Sequence, residues 1–453
     1  MCKIVGVISS VKDKHSQFLQ MGPTEKAPFL LGDCLFYFED CASFESSDEN
    51  YTLILKGTLN VSFDAFLELY KTKKEQGFNS LEGDFFFLFF DRKLKTQYFM
   101  RSKQCLMPFY WSEKKDFLFS NTLKALCSCQ SIAKKIDPFA IKAYLHLGFI
   151  PSPYTPIQNV NELLPGYLLT YQGKRRISLM PIDHKESRYT TQKIPSLSSP
   201  SKLSWKTLLE EIYFLEHPIS ILFFSDVLRL KPSVDFVKQP IELPSIKHLP
   251  KLKKPLPKSK LFSWFSLWFL KQRHRGHMLL DFENSPYCFF TTDELEYSSK
   301  ALEKTFDLSC YLIKYQSEYG LTKSHIERIY TYQNTLFAFA NRHKEKNTEH
   351  CDTKELITHF LTTQEHLEQS FTPKMQEEAK TILMEGVLFD LDIIDRRLIN
   401  NLEVAKAEHI PKIWNLIILE LWFRIFIEKS PSLENLAKIE ENLHTLFQEK
   451  TQV

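Results

Sequence analysis

The alternation of apolar and polar positions changes character partway along the chain. Up to about residue 180 it reads as short β-branched and aromatic runs between turn-like segments: IVGVI at 4 to 8, TLILK at 52 to 56, DFFFLFFD at 84 to 91 and QYFM at 97 to 100. The unbroken run DFFFLFFD predicts a strand covered on both faces, since a half-solvated strand would alternate. In FDAFLELYKTKKEQG (63 to 77), Phe63, Phe66, Leu67 and Tyr70 recur at helical spacing before Gly77 and predict one helix packed on that sheet.

From about 184 to 203 the letters turn to Ser, Thr, Pro and Lys, a linker composition. We therefore expect a first domain over 1–185, a linker over 186–204 and a second domain over 205–453. In the second part, ALEKTF, KSHIERIYTYQNTLFAFANRH, TKELITHFLTTQEHLEQSF and PKIWNLIILELWFRIFIEK carry apolar residues three and four apart, so helices should dominate. The last is apolar nearly all round, which puts it inside the domain with Trp414 and Trp422 as core anchors. SPSLENLAKIEENLHTLF restarts a helix, with Ser430 expected as N-cap and Pro431 at the first helical position.

Composition narrows the class. With 453 residues, 43% hydrophobic and 25% charged, the chain is globular and long enough for two domains. A net charge of +3 does not point to nucleic acid, so any basic surface must be local. The nine cysteines are scattered without a CxxC, which argues against a disulfide framework or zinc ribbon and fits a reducing cytoplasm. IVGVIS is too short for a signal segment, and no run reaches the roughly 18 apolar residues of a spanning helix.

Chemistry enters with the opening letters, MCKIVGV. Once the initiator Met is trimmed, Cys2 carries a thiol and a free amine on one residue, a nucleophile with its own base. The plainer alternative is an arbitrary second residue. Further along, LEGDFFFLFFDRK (81 to 93) resembles the L-x-G-x-F-A-F-x-x-x-D stretch of the glutamine-dependent asparagine synthetases. RSKQCLMPFYW (101 to 111) resembles their R-D-x-x-G-x-x-P-L-Y-Y, keeping Arg101, Pro108 and Tyr110. FSNTLKAL (119 to 126) is similar to F-A-S-E-x-K-A-L, and residues 136 to 171 resemble the segment closing the glutaminase domain, with Pro151, Pro153, Pro165 and Gly166. IIDRRLINN and the helix holding Trp414 and Trp422 resemble the family's terminal helices.

The resemblance implies an α+β fold: an N-terminal-nucleophile αββα sandwich, the class II amidotransferase domain, followed by a mainly helical, shortened remnant of the synthetase α/β domain. It also implies which residues should do chemistry. Cys2 matches the nucleophile and Gly57 an oxyanion-hole residue. The rest depart. Lys3 stands where the family has Gly, and its R-G-P-D reads MGPT at 21 to 24. No arginine precedes Arg92, although the family's substrate-carboxylate arginine should lie near GDCLFYF (32 to 38); a bidentate clamp needs that planar guanidinium. The oxyanion stretch N-G-E-x-x-N reads KGTLN, with Lys56 in place of Asn, and the amine-binding Asp falls near Ser62.

In the second half, S-G-G-x-D-S of the ATP site corresponds to HPISILFFSDV (217 to 227), where Ser225 and Asp226 are the expected remnants and no glycine occurs from 174 to 275. G-D-G-G-D-E-L-F-G-G-Y corresponds to FTTDELEYSS (290 to 299), keeping Asp293 and Glu294. A phosphate cradle needs glycines so that backbone N–H groups can approach. No cofactor is therefore expected, ATP and Mg²⁺ entering only if the synthetase site works, and no metal site is expected.

Outside the resemblance, residues 244 to 277 hold nine Lys and Arg around FSWFSLWFL, with no Asp or Glu from 243 to 280. That composition suits an anionic membrane surface, while a buried element with a solvated loop is the plainer alternative; nucleic acid is a weaker fit. The sequence as a whole reads as a cytoplasmic, divergent asparagine-synthetase-like pseudoenzyme that binds an unknown protein partner or ligand. The alternatives are a residual Cys2-dependent amidohydrolase or an active glutamine-hydrolysing asparagine synthetase.

Overall fold

The structure, a computed structural model, describes residues 4–9, 14–22, 28–102, 105, 107–113, 116–148, 150, 153–164, 166–173, 177–182, 203–216, 218, 290, 367, 370–428 and 431–451. It divides into two compact units, residues 1–135 with 152–190, and residues 136–151 with 191–453. Most of the expected linker, and the basic aromatic segment 244–277, lie outside the described residues.

In chain order the first unit runs β1 (Ile4–Ile8), α1 (Lys14–Gln20), β2 (Phe29–Leu31), β3 (Cys34–Phe38), β4 (Ala42–Glu45), β5 (Tyr51–Gly57), α2 (Phe63–Lys73), a 3-10 turn (Lys74–Ser80), β6 (Phe85–Asp91), β7 (Thr96–Arg101), β8 (Tyr110–Glu113), β9 (Phe117–Ser120), α3 (Leu123–Ser128), then β10 (Asn161–Glu162), β11 (Tyr167–Tyr171) and β12 (Ile177–Pro181). The strands form two six-stranded sheets, ordered β10-β8-β9-β1-β3-β2 and β12-β11-β7-β6-β5-β4, with antiparallel pairing throughout. Helices α1 and α3 pack on the first sheet and α2 on the second, giving the α+β layout expected of this half.

Strand β6 explains how the two sheets and a helix share one core. Every residue from Phe85 to Asp91 is buried. Phe85, Phe87 and Phe89 join Phe66, Tyr70 and Phe78 beneath α2. Phe86 and Phe90 point the other way, stacking on Phe109 at 4.9 Å and on Phe36 of the facing sheet at 5.2 Å. This is the two-sided strand that DFFFLFFD predicts, and each such ring contributes about 1.5–3 kcal/mol on burial. Helix α2 ends at Lys73, earlier than Gly77, because Lys74 adopts φ +51° and a 3-10 turn carries the chain on to Ser80. Under the helix, the Tyr70 hydroxyl donates to Asp91 Oδ2 at 2.7 Å and lies 3.2 Å from the Tyr98 hydroxyl, so the buried carboxylate is satisfied.

Gly6 shows how closely the ring of Phe119, its cross-strand partner on β9, lies over β1. A Cβ there would lie 2.1 Å from the Phe119 ring. That ring cannot retreat, since Phe99, Phe109 and Phe117 surround it with centroids 5.0, 5.9 and 6.1 Å away.

In the second unit, α4 (Pro138–Leu147) is held to the central helix α9 (Ile410–Phe423): Tyr144 donates to the Asn415 carbonyl at 2.9 Å, and Asn415 Nδ2 to the Leu145 carbonyl at 3.2 Å. The described chain between them contributes α5 (Trp205–Leu215), α6 (Pro373–Met384), α7 (Val387–Asp390) and α8 (Arg396–Asn401), and α10 (Leu433–Thr451) follows. Helix α9 is buried nearly all round, as its composition requires, with Trp414 and Trp422 in the core. Its Glu420 carboxylate accepts from the Val387 and Leu388 amides at 3.0 Å and pairs with Arg424 at 2.6 Å. Gly386 makes room for it, since a Cβ would come within 2.5 Å of the carboxyl carbon. The last helix starts later than expected. Ser432, not Ser430, caps it, accepting from the Asn435 amide at 3.2 Å, so Pro431 precedes the helix. Among the described residues no helix is long and apolar enough to cross a membrane.

Gly6→Ala is expected to cost about 2 kcal/mol through overpacking, which corresponds to roughly 30-fold faster amide exchange in β1 and β9. Unchanged exchange would show that the sheets have slack at this point.

Candidate functional site

The ring contacts between the sheets fix which strand ends coincide. Phe117 meets Tyr171 at 4.5 Å and Phe119 meets Phe99 at 5.0 Å, so β9 and β7 advance together toward Asn121 and Arg101. One end of the sandwich therefore gathers the start of β1, the end of β3, the Lys56–Gly57 end of β5, the start of β6, and residues 101, 102 and 121.

Cys2 lies outside the described residues, two positions before Ile4, the first described residue of β1. What surrounds that strand start is defined. Ile4 N donates to Asn121 Oδ1 at 2.8 Å, and Asn121 N donates to the Ile4 carbonyl at 3.0 Å.

Gly57 belongs to this end, and its conformation has a packing cause. Two segments cross here: Thr58 N donates to the Asp84 carbonyl at 2.8 Å and Asn60 N to the Glu82 carbonyl at 3.0 Å. At Gly57, φ +97°, a Cβ would sit 2.1 Å from the Asp84 carbonyl oxygen; at Gly83, φ +131°, one would sit 2.2 Å from that of Thr58. Each backbone occupies the other's side-chain space, so both positions require glycine. The retention of Gly57 is accounted for without a substrate.

Lys56, where the resemblance calls for an amide, sends its ammonium to the Asp40 carbonyl at 2.9 Å. An ammonium is a compact point donor on a long flexible stem, unlike a carboxamide held in one plane. Ser62, near the expected amine-binding position, is the N-cap of α2 and accepts from Ala65 N at 3.3 Å. Ser102, in contrast, does belong to this end. It occupies the Asp position of R-D-x-x-G, and its hydroxyl accepts from Phe85 N at 3.0 Å while its own N–H donates to the Phe85 carbonyl at 2.9 Å. Strand β3, where a carboxylate-binding arginine should fall, buries Cys34, Leu35, Phe36 and Tyr37.

Arg101 survives from the motif in a structural role. Wholly buried, it donates to Glu162 at 2.9 Å, to the Leu163 carbonyl, and to the Cys105 carbonyl at 3.2 Å, tying β7 to β10. Burial pushes the Cys105 thiol up to about 11 against the opposing Arg101 charge, and raises Cys34 well above its usual range against Lys14. Both are proton-bearing packing residues at neutral pH.

Ser225, Asp226, Asp293 and Glu294 lie outside the described residues. Among the described residues no cluster of His, Cys, Asp or Glu could hold a metal ion. Sequence reading passed over Asn121, Gly83 and Ser102, although all three stand inside the quoted motifs; what marks them is a partner far along the chain.

Two comparisons bear on identity. Residues 61–180 match the family described as a glutamine amidotransferase domain. Over 103 residues the chain is 32% identical to the Methanocaldococcus jannaschii protein named "Putative asparagine synthetase (glutamine-hydrolyzing) 2", covering 22% of this chain and 20% of that relative. The chain thus spans about a fifth of the length of the curated relative it matches.

A raised thiol pKa makes the folded state hold a proton that the unfolded chain releases. For Cys105, stability is complete below the unfolded thiol value of about 8.5 and declines as pH rises toward about 11. Urea midpoints measured across that window should fall for wild type and fall less steeply for Cys105→Ala; parallel slopes would contradict the assignment.

Residues 61–180 are therefore similar to a glutamine amidotransferase domain, and a stretch of 103 residues is similar to a protein named as a putative asparagine synthetase.

Proposed function

We propose that this protein is a divergent asparagine-synthetase-like pseudoenzyme, working in the cytoplasm by binding a partner or small ligand without hydrolysing glutamine. The observation that carries the reading is Lys56. Where acyl transfer needs a fixed donor aimed at the developing oxyanion, this chain presents an ammonium bonded to the Asp40 carbonyl. Loss of one oxyanion donor typically lowers turnover by about a hundredfold or more. Supporting it, Gly57 is explained by packing, Ser102 stands at a motif carboxylate, and no arginine precedes Arg92. With no glycine from 174 to 275, neither ATP nor Mg²⁺ enters the proposed activity.

Two results test it. A thiol-directed glutamine analogue should label Cys2 no faster than it labels a cysteine peptide; rapid, saturable labelling lost in Cys2→Ala would instead establish a residual amidohydrolase, and aspartate-dependent pyrophosphate release from ATP an active synthetase. For the partner, we take the basic segment 244–277 as the contact and an anionic membrane surface as its target. Vesicles containing phosphatidylserine should co-sediment the full chain, with binding reduced by Lys→Glu changes at 251, 253, 254 and 258. Equal sedimentation of both proteins would remove the membrane from this reading.

A further inference from the structure

We propose that His409 is a proton-sensitive latch in the second unit: its neutral imidazole closes the segment between α8 and α9, and on protonation it exchanges the Glu403 amide for the Glu408 carboxylate. The Glu403 amide donates to His409 Nδ1 at 2.8 Å. A ring nitrogen accepts only while it carries no proton, so this bond requires the neutral imidazole with its hydrogen on Nε2. Nε2 lies 3.6 Å from Glu408 Oε1, too far for a hydrogen bond but within ion-pair range once the ring is charged. The two protonation states thus have two different partners already at hand.

The rest of the segment is fixed by groups that do not change with a single proton near neutrality. Lys380 of α6 donates to the Leu402 carbonyl at 2.8 Å, and the Ala405 amide donates to Gln376 Oε1, also on α6, at 2.8 Å. Glu403 stands between these anchors, and its amide is held by the imidazole. Ala405 adopts φ +62°, a conformation that side chains rarely take, so the segment is held against its own backbone preference. Losing one bond in such a segment loosens it locally while both anchors on α6 remain.

The charges around the ring keep the two states close in energy. Lys406, 3.5 Å from Glu403 and 2.8 Å from Glu408, opposes an imidazolium, as do Lys412 in the first turn of α9, Lys380 on α6, and the amino end of α9 itself. Glu403 and Glu408 favour it. The hydrogen bond from Lys406 holds the Glu408 carboxyl below the usual carboxylate range, so Glu408 stays anionic where an imidazole takes up its proton. With its side chain 13% exposed, His409 is shielded enough for the Glu403 bond to count and open enough to exchange protons with solvent. The bond contributes stability at neutral pH that is lost as pH falls.

The test is hydrogen exchange of the full-length protein at about pH 7.5 and about pH 5.5, which bracket ordinary imidazole titration. The Glu403 amide is read by fragment-level mass spectrometry as protection relative to the unfolded chain, which removes the intrinsic pH dependence of exchange. In wild type this protection should fall about fivefold or more on acidification, with the amides of β6 unchanged. In His409→Gln, whose side chain does not titrate, protection of Glu403 should not change with pH, whatever its level. Glu408→Gln alters an exposed side chain and removes only the alternative partner; it should move the midpoint of the loss down by about 0.3 pH unit or more, the scale of an exposed ion pair. Equal protection at both pH values in wild type, the same fall in His409→Gln, or an unmoved midpoint in Glu408→Gln would each overturn the inference.

Discussion

The first unit depends on a layer of aromatic rings closed between two antiparallel sheets. Phe36, Phe86, Phe90, Phe99, Phe109, Phe117 and Phe119 fill it, and the absence of a side chain at Gly6 lets Phe119 lie over β1. Because such rings interlock, the sheets have one register relative to each other, and a single set of strand ends is brought together. Everything said about the candidate site follows from that alignment.

At those ends, packing and chemistry have separated. Gly57 and Gly83 are locked by mutual backbone approach, and Arg101 by a buried carboxylate and two carbonyls. Packing alone accounts for these residues, with no ligand needed to hold them in place. The positions to which the resemblance assigns the oxyanion and the amino acid are different: a lysine tied to a carbonyl, a serine capping a helix, and a buried aromatic strand. A fold can outlast its chemistry when the first set is constrained by the core and the second only by a ligand.

Much of this was readable from local pattern. DFFFLFFD declared a two-sided strand, and the near-continuous apolar run around Trp414 and Trp422 declared a buried helix. Periodicity is a short-range signal, however, and it could not see Asn121 bonding Ile4 or Glu420 capping Val387 and Leu388. The cap at Ser432 was misplaced to Ser430 because S-P-S offers two equivalent starts, and only the Asn435 amide chooses between them. Ser62, near which the resemblance places an amine-binding Asp, serves as a helix cap, and Ser102 holds the start of β6, a partnership that its motif does not reveal.

The central claim is that the sandwich persists while its grip on an amino acid is gone. Steady-state ammonia release from glutamine by the purified full-length chain, compared with Cys2→Ala, addresses it most directly. The account predicts the same background rate for both proteins. Saturable release by the wild type at enzymatic speed, abolished by the substitution, would contradict it.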